Sequence, residues 1–171
     1  MKKKFLFYFF FVILLLLLQT TIMQYATIYG VLPNLLVVFI ISAALLRGNV
    51  EGGAVGLFAG LAADMMFGSV IGFYALFGLY LGITVGSLNK RMYRDNLLIA
   101  VFFTFVYSVA YESVIFIVNN VMSADMNFLY AFTVVILPEA VYNSAIAVLL
   151  FPLMIKADKW FNDTDKTIRK Y

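Results

Sequence analysis

Asp64, Glu112 and Glu139 stand inside apolar runs of a chain that has neither histidine nor cysteine. A charged group at the middle of a membrane span costs about 2.5 to 3.5 kcal/mol on insertion scales, whereas a leucine returns only about 0.3 to 0.6 kcal/mol. Such carboxyls face protein or a wet cavity. Three kinds of chemistry are open to them: passing protons, binding a ligand or partner, and hydrogen-bonding helices together. No Lys or Arg lies at comparable depth, so hydroxyls, amides, water or a ligand must answer these acids. Without imidazole or thiol there is no disulfide, no thiol nucleophile and no zinc site of the usual ligand types. Most hydrolytic and redox chemistry therefore lacks its usual groups, and neither a cofactor box nor a metal site is read from the chain.

The neighbours of these acids fit a shared polar centre. Thr104, Ser108 and Glu112 recur every fourth residue with Tyr111 beside them, which draws one polar edge on a helix. Pro138, Glu139, Tyr142 and Asn143 fall within little more than one turn, and Glu139 and Asn143 share a face. Proline cannot donate to the Val134 carbonyl, so a kink is expected there, with nearby polar groups satisfying the freed backbone. Asp64, Ser108, Glu112, Glu139, Tyr142 and Asn143 together could line an outward-opening pocket. The plainer reading has Asp64 either meet lipid headgroups or cap the following helix near Ser69, and leaves Glu112 and Glu139 as hydrogen-bonded contacts between helices.

Asp64 also closes a second pattern. Gly48, Gly52, Gly56 and Gly60 lead to it on a four-residue beat, and Gly68 and Gly72 continue beyond. In a helix this beat is one nearly straight stripe. Glycine is costly in a helix unless something uses the missing side chain, and in lipid that use is backbone-close helix packing. The stripe is expected either to close the fold or to seat a partner helix.

The elements that must position these residues are membrane spans. The 171 residues are 64% hydrophobic and 12% charged, with a mean hydropathy of +0.99, which belongs to a bilayer and not to a soluble domain. Apolar runs predict six helices, over about 5–26, 31–46, 50–67, 71–88, 97–118 and 128–155, followed by a polar cytoplasmic tail over 156–171. The first run follows Lys2, Lys3 and Lys4 and is read as an anchored helix, since no small-residue cleavage site follows closely. With the N-terminus inside, all twelve Lys and Arg fall on the cytoplasmic side, including Arg47, the Lys90 to Arg94 cluster and the basic tail. The positive-inside rule thus favours six spans with both termini inside. The net charge of +3 reports topology and not a nucleic-acid partner.

Taken together, the basic first helix, Pro33-Asn34-Leu35-Leu36, Arg47-Gly48, the stretch from Gly56 to Asp64, then Gly68 and Gly72, and the closing Pro138 to Asn143 helix resemble the MreD family of bacterial rod-shape determination. Asn34 stands where that family often has an acid. The resemblance covers nearly the whole chain. It implies a non-enzymatic, multi-pass plasma-membrane subunit of the cell-elongation machinery, needed for cell shape and lateral peptidoglycan synthesis. The partners it implies are the bitopic protein MreC, the actin-like MreB, the RodA glycosyltransferase and a class B penicillin-binding protein, with the Lys90 to Arg94 loop meeting acidic lipid or a cytoplasmic partner. The resemblance also implies an all-α bundle similar in shape to the substrate subunits of energy-coupling-factor vitamin transporters. Such a transporter subunit is the alternative function. Against it, the run from Phe5 to Leu18 holds no Gly or Ala with which to engage a coupling protein. A proton-coupled exporter would use the acids as a relay, but the sequence shows no internal repeat.

Overall fold

The computed structural model describes residues 2–25, 27, 30–67, 71–88, 96–120 and 127–168, with backbone alone for 2–6 and 161–168. These residues are helical almost throughout. Helix α1 (Lys2–Thr21) ends in a short 3-10 turn, Met23–Tyr25; α2 is Leu35–Arg47, α3 Asn49–Phe67, α4 Phe73–Ser87 and α5 Leu97–Asn120. The last helix begins as α6 (Phe128–Ala131), widens into a π-helical turn over Phe132–Ile136 and continues as α7 (Leu137–Ile168). By length and composition, four stretches could cross a membrane: Phe7–Tyr25, Asn49–Phe67, Leu97–Asn120 and Phe128–Trp160. The two other apolar helices, α2 and α4, have 13 and 15 residues.

The composition of α2 follows from where it sits. It contacts α1, α3, α4, α5 and α7, and every residue from Leu35 to Leu46 is buried. A helix sheathed by other helices has no lipid-facing stripe to preserve, so an all-apolar sequence suits it. Ahead of it, residues 31–34 are not helical, although the sequence reading places them in the second span. Asn34 ends this segment as the N-cap of α2, its Oδ1 accepting from the Val37 N–H at 3.2 Å.

Large apolar side chains point outward around this centre. Phe9, Phe10, Leu17, Phe102 and Leu149 are each more than half exposed, as expected of a surface solvated by lipid tails.

Two features of the sequence pattern take a different form in the structure. The glycine beat is not one helix: Gly48 lies between α2 and α3 at φ 87°, and Gly72 precedes α4 at φ 101°, both backbone conformations that favour glycine. Only Gly52, Gly56, Gly60 and Asp64 share α3, while Gly68 lies outside the described residues. The expected disturbance at Pro138 is the π-helical turn, in which the Leu137 N–H donates to the Phe132 carbonyl, one residue farther back than in an α-helix. Val134, whose carbonyl would have looked to residue 138, falls within that widened turn. Beyond it, α7 runs on as helix into the stretch read as a tail, and Asp158 there is buried.

Candidate functional site

The glycine face is spent inside the chain. The α3–α4 pair is the most extensive contact in the molecule, and it is antiparallel, so each glycine step up α3 meets a step back down α4. A Cβ added to Gly56 would lie 2.0 Å from the Gly78 carbonyl oxygen, one on Gly60 would lie 2.3 Å from that of Tyr74, and one on Gly82 would lie 2.1 Å from that of Gly52. A Cβ on Gly52 would also lie 2.6 Å from the Ala44 Cβ of α2. A groove floored by these glycines is therefore not open to a partner helix: α4 and α2 already fill it. Small residues let two backbones touch where side chains would hold them apart.

Asp64 ends this interface. Its Oδ2 accepts from the Gly72 and Ala75 N–H groups at 2.9 and 3.1 Å, and its Oδ1 from the Tyr74 N–H at 2.8 Å. These donors belong to the first turn of α4, where helical backbone has no partner of its own. The carboxylate thus caps α4 from the neighbouring helix and complements the positive end of its dipole. Its side chain is spent on α4 and does not join Glu112 and Glu139.

Those two acids meet at the same end of the bundle, around the start of α2. Asn34 is the hub. Its backbone N–H donates to Asn143 Oδ1 at 2.7 Å, and its Nδ2 donates to Glu112 Oε1 at 3.1 Å. Asn143 Nδ2 donates in turn to Ser108 Oγ at 3.2 Å. Glu139, one turn before Asn143 on α7, lines the same cavity as Glu112. One residue on, the Leu35 N–H donates to Gln19 Oε1 at 3.1 Å, which ties the end of α1 to the same point. Ser108 and Asn143 are fully buried. Thr104, one turn further along α5, bonds its own helix at Ala100 and takes no part.

These groups wall one side of a cavity of about 340 Å³ that is lined on the other by Leu36, Ile40, Ala59 and Gly60. Tyr74 and Tyr111 contribute aromatic walls. Of the residues read from sequence as the polar centre, Glu112 and Glu139 line the cavity, Ser108 and Asn143 support it from beneath, and Tyr142 is not among its lining residues. Asn34 and Gln19 were not singled out as site residues in the sequence. Pro-Asn ahead of an apolar run is a helix-start signal and could have found Asn34. Nothing marks Gln19 beyond being polar near the end of a span.

A second polar cluster closes the opposite end. The Arg47 guanidinium forms an ion pair with Asp158, its Nε is 3.2 Å from the Tyr8 hydroxyl oxygen, and Glu51 lies 3.8 Å away. The Arg47 and Asp158 side chains are 6% and 7% exposed, so the pair is shielded from water. It ties the start of α1, the end of α2 and the distal part of α7 to one end of the bundle. In the sequence Arg47 reads as a marker of sidedness and part of a family motif, and its ion pair is hidden because the partner lies more than a hundred residues away.

Among the described residues no group of three or more His, Cys, Asp or Glu is placed to hold a metal ion. In comparison with known proteins, a family model described as rod shape-determining protein MreD matches residues 1–158. No curated protein and no solved structure matches the chain. The comparisons give no support to the vitamin-transporter alternative.

Proposed function

The chain belongs to the MreD family of rod shape-determining proteins, and from that premise we propose that it is a six-span, non-enzymatic scaffold of the cell-elongation complex in the bacterial plasma membrane. The observation that carries the reading is the reach of the family match, from residue 1 to residue 158. It includes both polar clusters and every packed helix.

Six crossings are compatible with the short helices. The 13 residues of α2 make about 20 Å at 1.5 Å per residue, and the non-helical residues 31–34 can add up to about 13 Å. That sum spans a hydrocarbon core of about 30 Å. Non-helical backbone at membrane depth is tolerated where it lines a cavity or is buried in protein, and this segment does line the cavity. Helix α4 would be matched by its preceding turn and by local thinning of the bilayer. The Arg47 cluster supports having the start of α1 and the distal part of α7 on one side, and the positive-inside rule makes that side cytoplasmic.

The scaffold works through helix contacts with a single-span MreC-type protein and, through the assembly, with MreB, RodA and a class B penicillin-binding protein. Because the glycine face is occupied, the partner helix sits elsewhere. The apolar groove between α1 and α3, bounded by Phe9, Ile13, Ala54 and Phe58, is the seat this reading assigns to it. The test is affinity purification of the tagged chain from its native membranes in mild detergent, alongside Ala54→Phe, which fills the groove from an exposed position. Recovery of a single-span partner and cell-wall synthesis proteins, lost in Ala54→Phe at unchanged protein level, is expected. Failure of the unmodified chain to retain any such protein would overturn the scaffold reading, and undiminished recovery with Ala54→Phe would overturn the seat.

A further inference from the structure

We propose that the cavity at the start of α2 binds a small organic ammonium compound, held by Glu112 and Glu139 against the aromatic walls of Tyr74 and Tyr111. The proposal concerns the molecule by itself and goes beyond its role among partners.

Size and shape come first. About 340 Å³ lies within the range of small-molecule sites, about 300 to 1,000 Å³, which are mainly apolar with a few convergent polar groups. Leu36, Ile40 and Ala59 offer an apolar floor, and the polar groups gather along one wall. The ligand is thus an amphiphile with a single polar head and a compact apolar body.

Charge then selects the head. The lining includes two glutamates and no Lys or Arg. A cation brought to these carboxyls can pair with an ionised one. An anion would find carboxyls and no basic partner among the lining residues. One hydrogen of the Asn34 amide is already given to Glu112, and its oxygen accepts from Val37. Aromatic faces favour a cation further, since the ring quadrupole attracts an ammonium that has been stripped of water.

Position narrows the source to two. The cavity lies at the end of the bundle away from the Arg47 cluster, so it can be reached by a free amine from that side or by the headgroup of an ammonium-bearing phospholipid. Both present the same group to the same glutamates.

The experiment uses the full chain purified in detergent, with 2-phenylethylammonium as the probe and 2-phenylethanol as its neutral counterpart, read by equilibrium dialysis and by thermal unfolding. Saturable binding of the ammonium is expected, with the alcohol weaker by about tenfold or more. Glu112→Gln and Glu139→Gln, each of which keeps one carboxyl, should stay within about threefold, whereas the double variant should lose about tenfold or more. Absence of saturable ammonium binding, or equal binding of the alcohol, overturns the proposal on the unmodified chain, whatever the variants' folding. Repeating the titration in nanodiscs separates the sources. Probe binding suppressed by phosphatidylethanolamine but not by phosphatidylglycerol assigns the site to a lipid headgroup, and binding equal in both assigns it to a free amine.

Discussion

Gly56 and Gly78 meet backbone to backbone, with room for no atom between the Gly56 Cα and the Gly78 carbonyl. The α3–α4 hairpin is held at this distance along its length by the absence of side chains. Packing at backbone contact multiplies weak dispersion terms, each about 0.1 to 0.2 kcal/mol per atom pair, and it does so without the hydrophobic drive that a bilayer cannot supply.

Gly56→Ala should destabilise the chain by about 1 to 3 kcal/mol or more, the usual cost of forcing a methyl into filled space. The atoms in the way are backbone and cannot step aside. Gly53→Ala is the comparison, because its Cβ would meet side-chain atoms, the Ile83 Cγ1 at 2.8 Å, and not backbone. A side chain can shift where backbone cannot, and helix propensity returns about 1 kcal/mol, so Gly53→Ala should lose less than Gly56→Ala. Thermal unfolding in one detergent compares the two, and equal losses would refute the hairpin geometry.

Asp64→Ala should cost more than Asp64→Asn. Alanine leaves the N–H groups of Gly72, Tyr74 and Ala75 without their acceptor, at about 1 to 3 kcal/mol for each buried group left unpaired. Asparagine keeps one acceptor oxygen. Amide hydrogen exchange at the start of α4 provides the readout, with opening expected there first. Protection unchanged in Asp64→Ala would show that the cap is not what holds this turn.

This pair of predictions marks where the sequence was legible. The spacing from Gly52 to Asp64 announces a close-packed face, and the four-residue beat is real within α3. It also runs on through Gly68 and Gly72, and periodicity alone has no means of reporting that a helix has ended. The task of Asp64 is visible only as one of three options, because the donors it serves come 8 to 11 residues later, on another helix. Glu112, Ser108 and Asn143 sit on faces that predict their meeting. Asn34 joins them from a short capping segment whose position depends on the whole bundle.

Asn34→Asp should retain the cap on α2, since a carboxylate accepts from Val37 as an amide does. It cannot donate to Glu112 unless protonated, and it adds a third acid to the cluster. A loss of about 1 to 3 kcal/mol is expected, with Asn34→Ala losing both cap and bridge and falling further. The ordering of three melting temperatures checks this. Asn34→Asp as stable as the unmodified chain would mean that the Glu112 contact carries no weight.

Breaking the Arg47–Asp158 pair from one side, by Asp158→Ala, should cost about 3 kcal/mol, because the buried guanidinium is left with only the exposed Glu51, 3.8 Å away, as counter-ion. Arg47→Met with Asp158→Leu should recover much of that loss, since apolar replacement of both members spares the charge its desolvation. Raising the salt concentration should change little, as screening acts weakly on shielded pairs. A double-mutant cycle on unfolding free energies measures the coupling, and coupling near zero would detach α7 from this end.

The sheathing of α2 has a consequence for biogenesis. A helix released alone into lipid is oriented by the contrast between its sides, and α2 has no such contrast to offer: Val38, Phe39, Ile41 and Ala43 are all at 0% exposure. Apart from α1, the neighbours that decide its rotation about its own axis emerge from the ribosome after it, α7 last of all. The bundle therefore cannot be built by adding finished helices one at a time. The second helix waits, unfixed, until the chain that follows closes around it.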